Sequence, residues 1–167
     1  MLPIAQNDGI DVPFIDALFT STSAVCVTGL AAIDIADNFN VFGQAVVAAL
    51  IQIGGLGVTS VGVSLILLAR RKVTFKDRIL VKEAMNLNSV GGIVKLVKSV
   101  LLMTLCFEGT GVLLNFIVFS QDYAPLHALW ISVFHSIAAF NNSGYDILGG
   151  FRNLIPYQNN VLLNLTT

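Results

Sequence analysis

The chain has 167 residues, of which 55% are hydrophobic and 11% charged, with a net charge of −1 and a mean hydropathy of +0.80. Soluble domains carry about 25% charged residues, so this chain lacks the polar surface that a water-soluble fold of its length needs. Near-neutral charge gives no basis for a nucleic-acid partner, and Cys26 and Cys106 have neither metal-ligand spacing nor a disulfide framework, so they read as packing residues.

In chain order, residues 1–13 have no basic n-region and no small-residue cleavage site, which argues against a signal peptide. The segment F14-I-D-A-L-F-T-S-T-S-A24 is apolar but short of the ~20 residues a membrane span needs. Overlapping its end, S21-T-S-A-V-C-V-T-G-L-A-A-I-D34 is too apolar for a solvated loop and too β-branched for a comfortable helix. From Phe39 to Ala69 there is no charge. As one helix, residues 41–69 would exceed the ~30 Å hydrocarbon core of a bilayer, and a long, tilted transmembrane helix is predicted there.

Residues 70–95 form a basic loop, and a second span is predicted from Ser99 to Ser120 within an element at 96–121, with Glu108 near its middle. A third apolar segment, Leu126 to Phe140, has only fifteen residues before N141-N-S-G breaks it. That length suits a re-entrant or buried helix rather than a span. Residues 147–167 end in V161-L-L-N-L-T-T167 and read as the start of a further helix, so the chain is expected to be an internal part of a longer protein.

The charges are segregated. The first 37 residues hold five aspartates and no base, whereas Arg70 to Lys98 holds eight of the nine bases. Short loops rich in Lys and Arg stay in the cytoplasm. This puts 70–95 inside, 1–13 and 121–126 outside, and both short apolar segments entering from the outer face. The basic loop also reads as no more than a solvated surface.

At an offset of 115 residues, F19-T-S-T-S-A-V-C-V-T-G-L30 lies over F134-H-S-I-A-A-F-N-N-S-G-Y145 with four identities in twelve. Each copy is a short helix, then a hydroxyl-Gly turn, then an acid, Asp34 or Asp146. One such turn is also what a helix C-cap looks like, and N141-N-S-G alone could be an exposed turn or a glycosylation acceptor. Two copies entering from one face read as parallel repeats around a pathway. Non-helical backbone at membrane depth needs protein or a water-filled cavity to receive it. Successive carbonyls aimed at one axis can replace the water around a cation, and glycine permits the backbone this needs. A helix C-terminus pointing inward also favours positive charge.

Together, D16-A-L-F-T-S-T-S-A-V-C-V-T-G-L-A-A-I-D34, F42-G-Q, L50-I-Q-I-G-G-L-G57 and F134-H-S-I-A-A-F-N-N-S-G-Y145 resemble the membrane subunit of the Trk/Ktr/HKT superfamily of potassium transporters, most nearly its Ktr branch, over essentially the whole chain. The resemblance implies an all-α integral membrane fold of helix, pore-loop, helix units of the potassium-channel type, four around a central pore, with two of the four present here in part. Residues 1–13 would be the outer end of a preceding helix and its linker, and 14–40 the first pore helix and filter loop. Residues 41–69 would be the inner helix of unit one, 96–121 the outer helix of unit two, and 126–146 the second pore helix and loop. Carried over, the first loop gives filter residues Val25, Cys26, Val27, Thr28 and Gly29, and the second Phe140, Asn141, Asn142, Ser143 and Gly144. Two loops do not close a fourfold ring, so this part alone is not expected to conduct, and the family's gating loop belongs to the third unit.

By the same resemblance the cargo is K⁺, with Na⁺ as the alternative. Serine at the first filter position accompanies sodium transport in plant relatives, so Gly29 favours K⁺. No cofactor is implied in this chain. The implied partners are the lipid bilayer of the cell membrane, a second membrane subunit in a homodimer, and a cytoplasmic ring of nucleotide-binding regulatory subunits, with no nucleic acid. A non-transporting membrane scaffold or assembly subunit is the alternative.

Glu108 is an acid inside the membrane and so a functional candidate, although Gly109 and Gly111 beside it also suit structural packing. Asp34 and Asp146 could concentrate cations at an outer mouth or simply brace their loops. Gly54, Gly55 and Gly57, with Ser60 and Ser64, mark close helix contact; a phosphate loop is excluded because its Lys is absent. His127 and His135 have no companion ligands, and no acid, base or metal cluster supports an enzyme.

Overall fold

The computed structural model describes residues 3–7, 9–57, 61–63, 74–84, 86 and 91–166. Among these the chain is all helical, with no strand and one isolated bridge between Gln6 and Phe39. It divides into two compact units, Met1–Gly55 with Phe107–Thr167, and Leu56–Cys106.

In the larger unit, α1 (Phe14–Cys26) starts after Pro13, which cannot donate into a helix and leaves that first orphan site empty at no cost. Its run of hydroxyls is helical because each bonds inward: Thr20, Ser21 and Thr22 donate to the carbonyls of Asp16, Ala17 and Leu18 at 2.8, 2.7 and 2.8 Å. Side chains that would otherwise prefer a turn are thereby satisfied without water. The short α2 (Ile35–Asn38) is capped by Asp34, and α3 (Val41–Leu56) by Asn40, whose Oδ1 accepts from Gly43 N at 3.0 Å. The Nδ2 of Asn40 donates to the carbonyls of Ile4 and Gln6, which pins the N-terminal segment to this corner.

α3 does not continue as the expected unbroken helix over 41–69. It stops at Leu56, and Gly57 has a φ of 80°. Three glycines in four residues, Gly54, Gly55 and Gly57, give the weakest helix propensity available short of proline. Residues 61–63 are helical; the rest of 58–73, including Ser60, Ser64 and the basic cluster Arg70, Arg71 and Lys72, lies outside the described residues.

In the smaller unit, α4 (Phe75–Ala84) opens with a capping box. Thr74 donates through both N and Oγ1 to Asp77 Oδ2, at 2.8 and 2.7 Å, and these bonds hold the Asp77 carboxyl below its usual range. Val63, Val81, Ile93 and Val97 make a small core there.

α5 (Ile93–Phe119) is, among the described residues, the one helix long and apolar enough to cross a membrane, and only 11% of its most apolar window is buried. The core helix of a soluble protein would be covered. Here Leu102, Met103, Leu105, Phe107 and Leu113 are all exposed, the pattern of a lipid-facing surface. α6 (Pro125–Phe140) begins at its own proline and packs Ala128, Ile131, Phe134 and Ala138 against Val47, Ile51 and Phe119. A 3₁₀ turn at Ile155–Tyr157 and α7 (Val161–Thr166) follow.

Candidate functional site

The ends of α1 and α6 carry the same turn, 115 residues apart. After α1, Val27 is left-handed (φ 54°), with Val27 N donating to Ala24 O at 3.3 Å and Thr28 N to Ser23 O at 3.0 Å. After α6, Asn142 is left-handed (φ 53°), with Asn142 N donating to Ala139 O at 2.9 Å and Ser143 N to Ala138 O at 2.8 Å. Each is a Schellman closure. Two residues on, Gly29 and Gly144 return to positive φ, 71° and 72°. The sequence identity of these loops is low, but they share both closing hydrogen bonds and both left-handed positions.

The loops also meet. A Cβ placed on Gly29 would lie 2.5 Å from Ser143 O, and one on Gly144 would lie 3.6 Å from Gly29 Cα. Glycine is needed at Gly29 twice over, for its φ and for the approach of the other loop's backbone. Tyr145 ties the pair: buried immediately after Gly144, it donates its hydroxyl to Leu30 O at 2.7 Å. A cavity of about 40 Å³ on this side is lined by Gly29, Gly144, Asp34 and Asp146.

The structure therefore brings Gly29, Ser143 and Gly144 together, whereas Val25, Cys26 and Phe140 fall in the last turns of their helices, so the non-helical stretches are shorter than the five residues expected in each loop. Cys26 and Cys106 are both exposed rather than packed in a core. His127 is exposed beside Tyr123, and His135 is buried edge-on to Phe119.

The two outer acids differ. Asp34 is buried and fully engaged: Oδ1 accepts from Ala36 N and Asp37 N at 2.8 and 3.1 Å, and Oδ2 from Phe151 N at 2.7 Å. With Asp37 Oδ2 accepting from Gly150 N, it fastens the segment after the second loop onto α2. Asp146 is half-buried and accepts from Leu148 N at 3.0 Å. Burial raises its carboxyl above the usual value, the Leu148 bond lowers it in part, and the Asp34 charge raises it again.

A hydrogen-bonded chain that no sequence pattern reveals joins Asn141, Gln52 and Glu108. Asn141 Nδ2 donates to Gln52 Oε1 at 2.8 Å and to Ile137 O at 2.9 Å, and Gln52 Nε2 donates to Glu108 Oε1 at 2.6 Å. Ser136 of α6 also donates to Glu108 O at 2.7 Å. Gly54 and Gly55 let α3 pass between the loops: a Cβ on Gly54 would run into Val25 O, and one on Gly55 into Asn141 Oδ1. Higher on α3, Gln44 accepts from Trp130 Nε1 at 2.7 Å. Paired polar residues in an apolar stretch, such as Gln52 with Glu108, were the available signal, but only the fold shows who pairs with whom.

A bilayer-length apolar helix left uncovered, together with shorter apolar helices, is the pattern of a helical membrane domain. The chain belongs to the TrkH family of cation transport proteins, whose model matches residues 3–167; this is a transport family, not an enzyme family. It is 40% identical over 165 residues to the Ktr system potassium uptake protein B of Bacillus subtilis, and 38% identical over 162 residues to the potassium/sodium uptake protein NtpJ of Enterococcus hirae. Those alignments cover 99% and 97% of this chain but 36% of each relative, so the chain spans about a third of the length of the proteins it matches.

Proposed function

We propose that this chain forms part of a subunit that translocates K⁺ across the cell membrane, with residues 25–29 and 140–144 supplying backbone carbonyls to a selectivity filter. The observation that carries the reading is the contact between two loops of equal backbone geometry at Gly29 and Gly144. Both loops follow helix C-termini, whose partial negative charge favours a cation. Backbone oxygens at such a point can replace an ion's water without an ionised side chain. The relatives' names, potassium uptake in one case and potassium/sodium uptake in the other, support a monovalent cation and leave Na⁺ as the competing cargo. A ring of four loops, two of them contributed by the rest of the subunit, is the form the family resemblance implies.

In this reading 70–95 is cytoplasmic, and 1–13 and 121–126 are outside. The membrane subunit works as a homodimer on a cytoplasmic ring of nucleotide-binding regulatory subunits, and nucleotide acts only through that ring. The relatives named as parts of a "Ktr system" support a multi-component assembly. The test is Gly29→Ser and Gly144→Ser in the full-length protein, expressed in cells that lack their own potassium uptake. Each substitution should reduce the preference for K⁺ over Na⁺ in tracer uptake by about tenfold, equal to about 1.4 kcal/mol. Unchanged K⁺ uptake and unchanged preference in both variants would overturn the assignment.

A further inference from the structure

Beyond the filter loops themselves, we propose that Glu108, acting through Gln52, is a positioning residue for the second loop and thereby helps set ion preference. The proposal rests on the pore reading above.

Three elements converge on one hydrogen-bonded chain with a fixed direction: Asn141 of the second loop donates to Gln52 of α3, and Gln52 donates to Glu108 of α5. Asn141 is the residue on which α6 ends and lies three positions before Gly144. Its Nδ2 is engaged on both sides, by Gln52 and by Ile137 O, so its side chain has little freedom. The surroundings are cut to fit: Gly55 makes room for the Asn141 amide, and Gly111 makes room for the Ser136 hydroxyl that bonds Glu108 O. Glu108 is 9% exposed and Gln52 partly buried. A polar chain in so apolar a place is costly unless every link is made, and breaking one releases the loop end rather than a surface contact.

Among the described residues the first loop has nothing comparable. The position of Asn141 is taken there by Cys26, which is exposed, and α3 meets the loop through backbone at Gly54. The network therefore serves one loop. Because Ser143 O lies against Gly29, a shift of the second loop changes the spacing between the two. Glu108 in this account touches no ion; its role is distinct from that of a carboxylate lining the path.

The direction of the chain provides the test. In the full-length protein, Glu108→Leu and Gln52→Leu should each lower the K⁺ over Na⁺ preference about tenfold and raise the KM for K⁺, at equal amounts of protein in the membrane. Gln52→Glu alone sets two acceptors against each other and should do the same. Glu108→Gln keeps an acceptor for Gln52 and should stay within about threefold of the parent. The double variant Gln52→Glu with Glu108→Gln reverses the donor between these positions and still offers Asn141 an acceptor, so it should recover most of the preference lost in Gln52→Glu. Failure of that rescue, with the double variant as poor as the sum of its parts, would overturn the proposal, as would Leu variants that change only maximal rate or protein amount. Gly144→Ser in the same assay separates the two levels: if it loses preference while the network variants keep theirs, this inference fails alone. If Gly144→Ser and Gly29→Ser both keep it, the pore reading fails with it.

Discussion

Val27 and Asn142 hold the same left-handed position after their helices, at φ 54° and 53°, yet only Asn142 suits it. Asparagine enters that region readily, whereas a β-branched residue there is strained by about 1–2 kcal/mol. The loops differ again in what holds them. The first is held by main chain, with Gly54 of α3 seated on Val25 O, and by the Ser23–Thr28 hydroxyl pair at 2.7 Å. The second is held by side chains, through Asn141, Gln52 and Glu108. A shared backbone turn thus needs no shared fastening: one loop is strained and clamped by its backbone, the other relaxed and tied by a polar chain.

The difference in fastening predicts the largest effect. Gly54→Ala drives a methyl into a carbonyl that cannot swing away, while Gly55→Ala meets the Asn141 side chain, which gives way only by breaking its bond to Gln52. Overpacking of this kind typically costs about 1–3 kcal/mol, and Gly54→Ala should reach the top of that range or exceed it. The expected result is loss of K⁺ uptake and of folded protein in detergent for Gly54→Ala, with reduced but measurable uptake for Gly55→Ala. Equal losses in the two variants would mean that the loops are held alike.

Much of the all-helical class was readable from composition and from punctuation. Pro13 and Pro125 announce α1 and α6, and the hydroxyl-Gly signals at Thr28-Gly29 and Ser143-Gly144 mark the two turns. What could not be read is long-range partnership. Asn141 and Gln52 are 89 residues apart and Gln52 and Glu108 are 56 apart, and no local pattern links them. Asp34 reads two ways in the sequence for a related reason, as a charge at a mouth or as a brace for its loop, and only the folded chain brings Phe151 N to its second oxygen. The end of α3 at Leu56 was obscured because hydropathy, the dominant signal over 41–69, is blind to the helix-weakening effect of its glycines.

The strain at Val27 predicts a middle-sized effect of opposite sign in the two loops. Val27→Asn should stabilise the purified protein by about 1 kcal/mol, and Asn142→Val should destabilise it by a similar amount. Thermal unfolding in detergent measures both. If Val27→Asn also leaves ion preference unchanged, the strain is incidental to selectivity. If stability rises while preference falls, the strained turn is part of how the first loop presents its carbonyls.

The smallest expected effect separates the acids on the outer side. Both acids line the cavity at the two glycines, but Asp34 is consumed by three backbone donors and has little left to offer a cation, whereas Asp146 accepts one. Burial holds the Asp146 carboxyl above its ordinary value, with the Asp34 charge adding to the rise. Since the folded value exceeds the unfolded one, its contribution to stability is fully present below the unfolded value and is lost as pH rises through the folded one. Ionised Asp146 is therefore a small burden on the fold at neutral pH, and Asp146→Asn should be at least as stable there. On the proposed topology the same charge draws cations to the mouth, worth at most about 1 kcal/mol in a wet, high-dielectric setting. The KM for K⁺ should rise about two- to fivefold in Asp146→Asn, and in the parent as external pH falls from neutral toward the ordinary carboxylate range. The variant should show a flatter pH profile over that interval. A parent profile that Asp146→Asn leaves unaltered would assign Asp146 the same bracing role as Asp34.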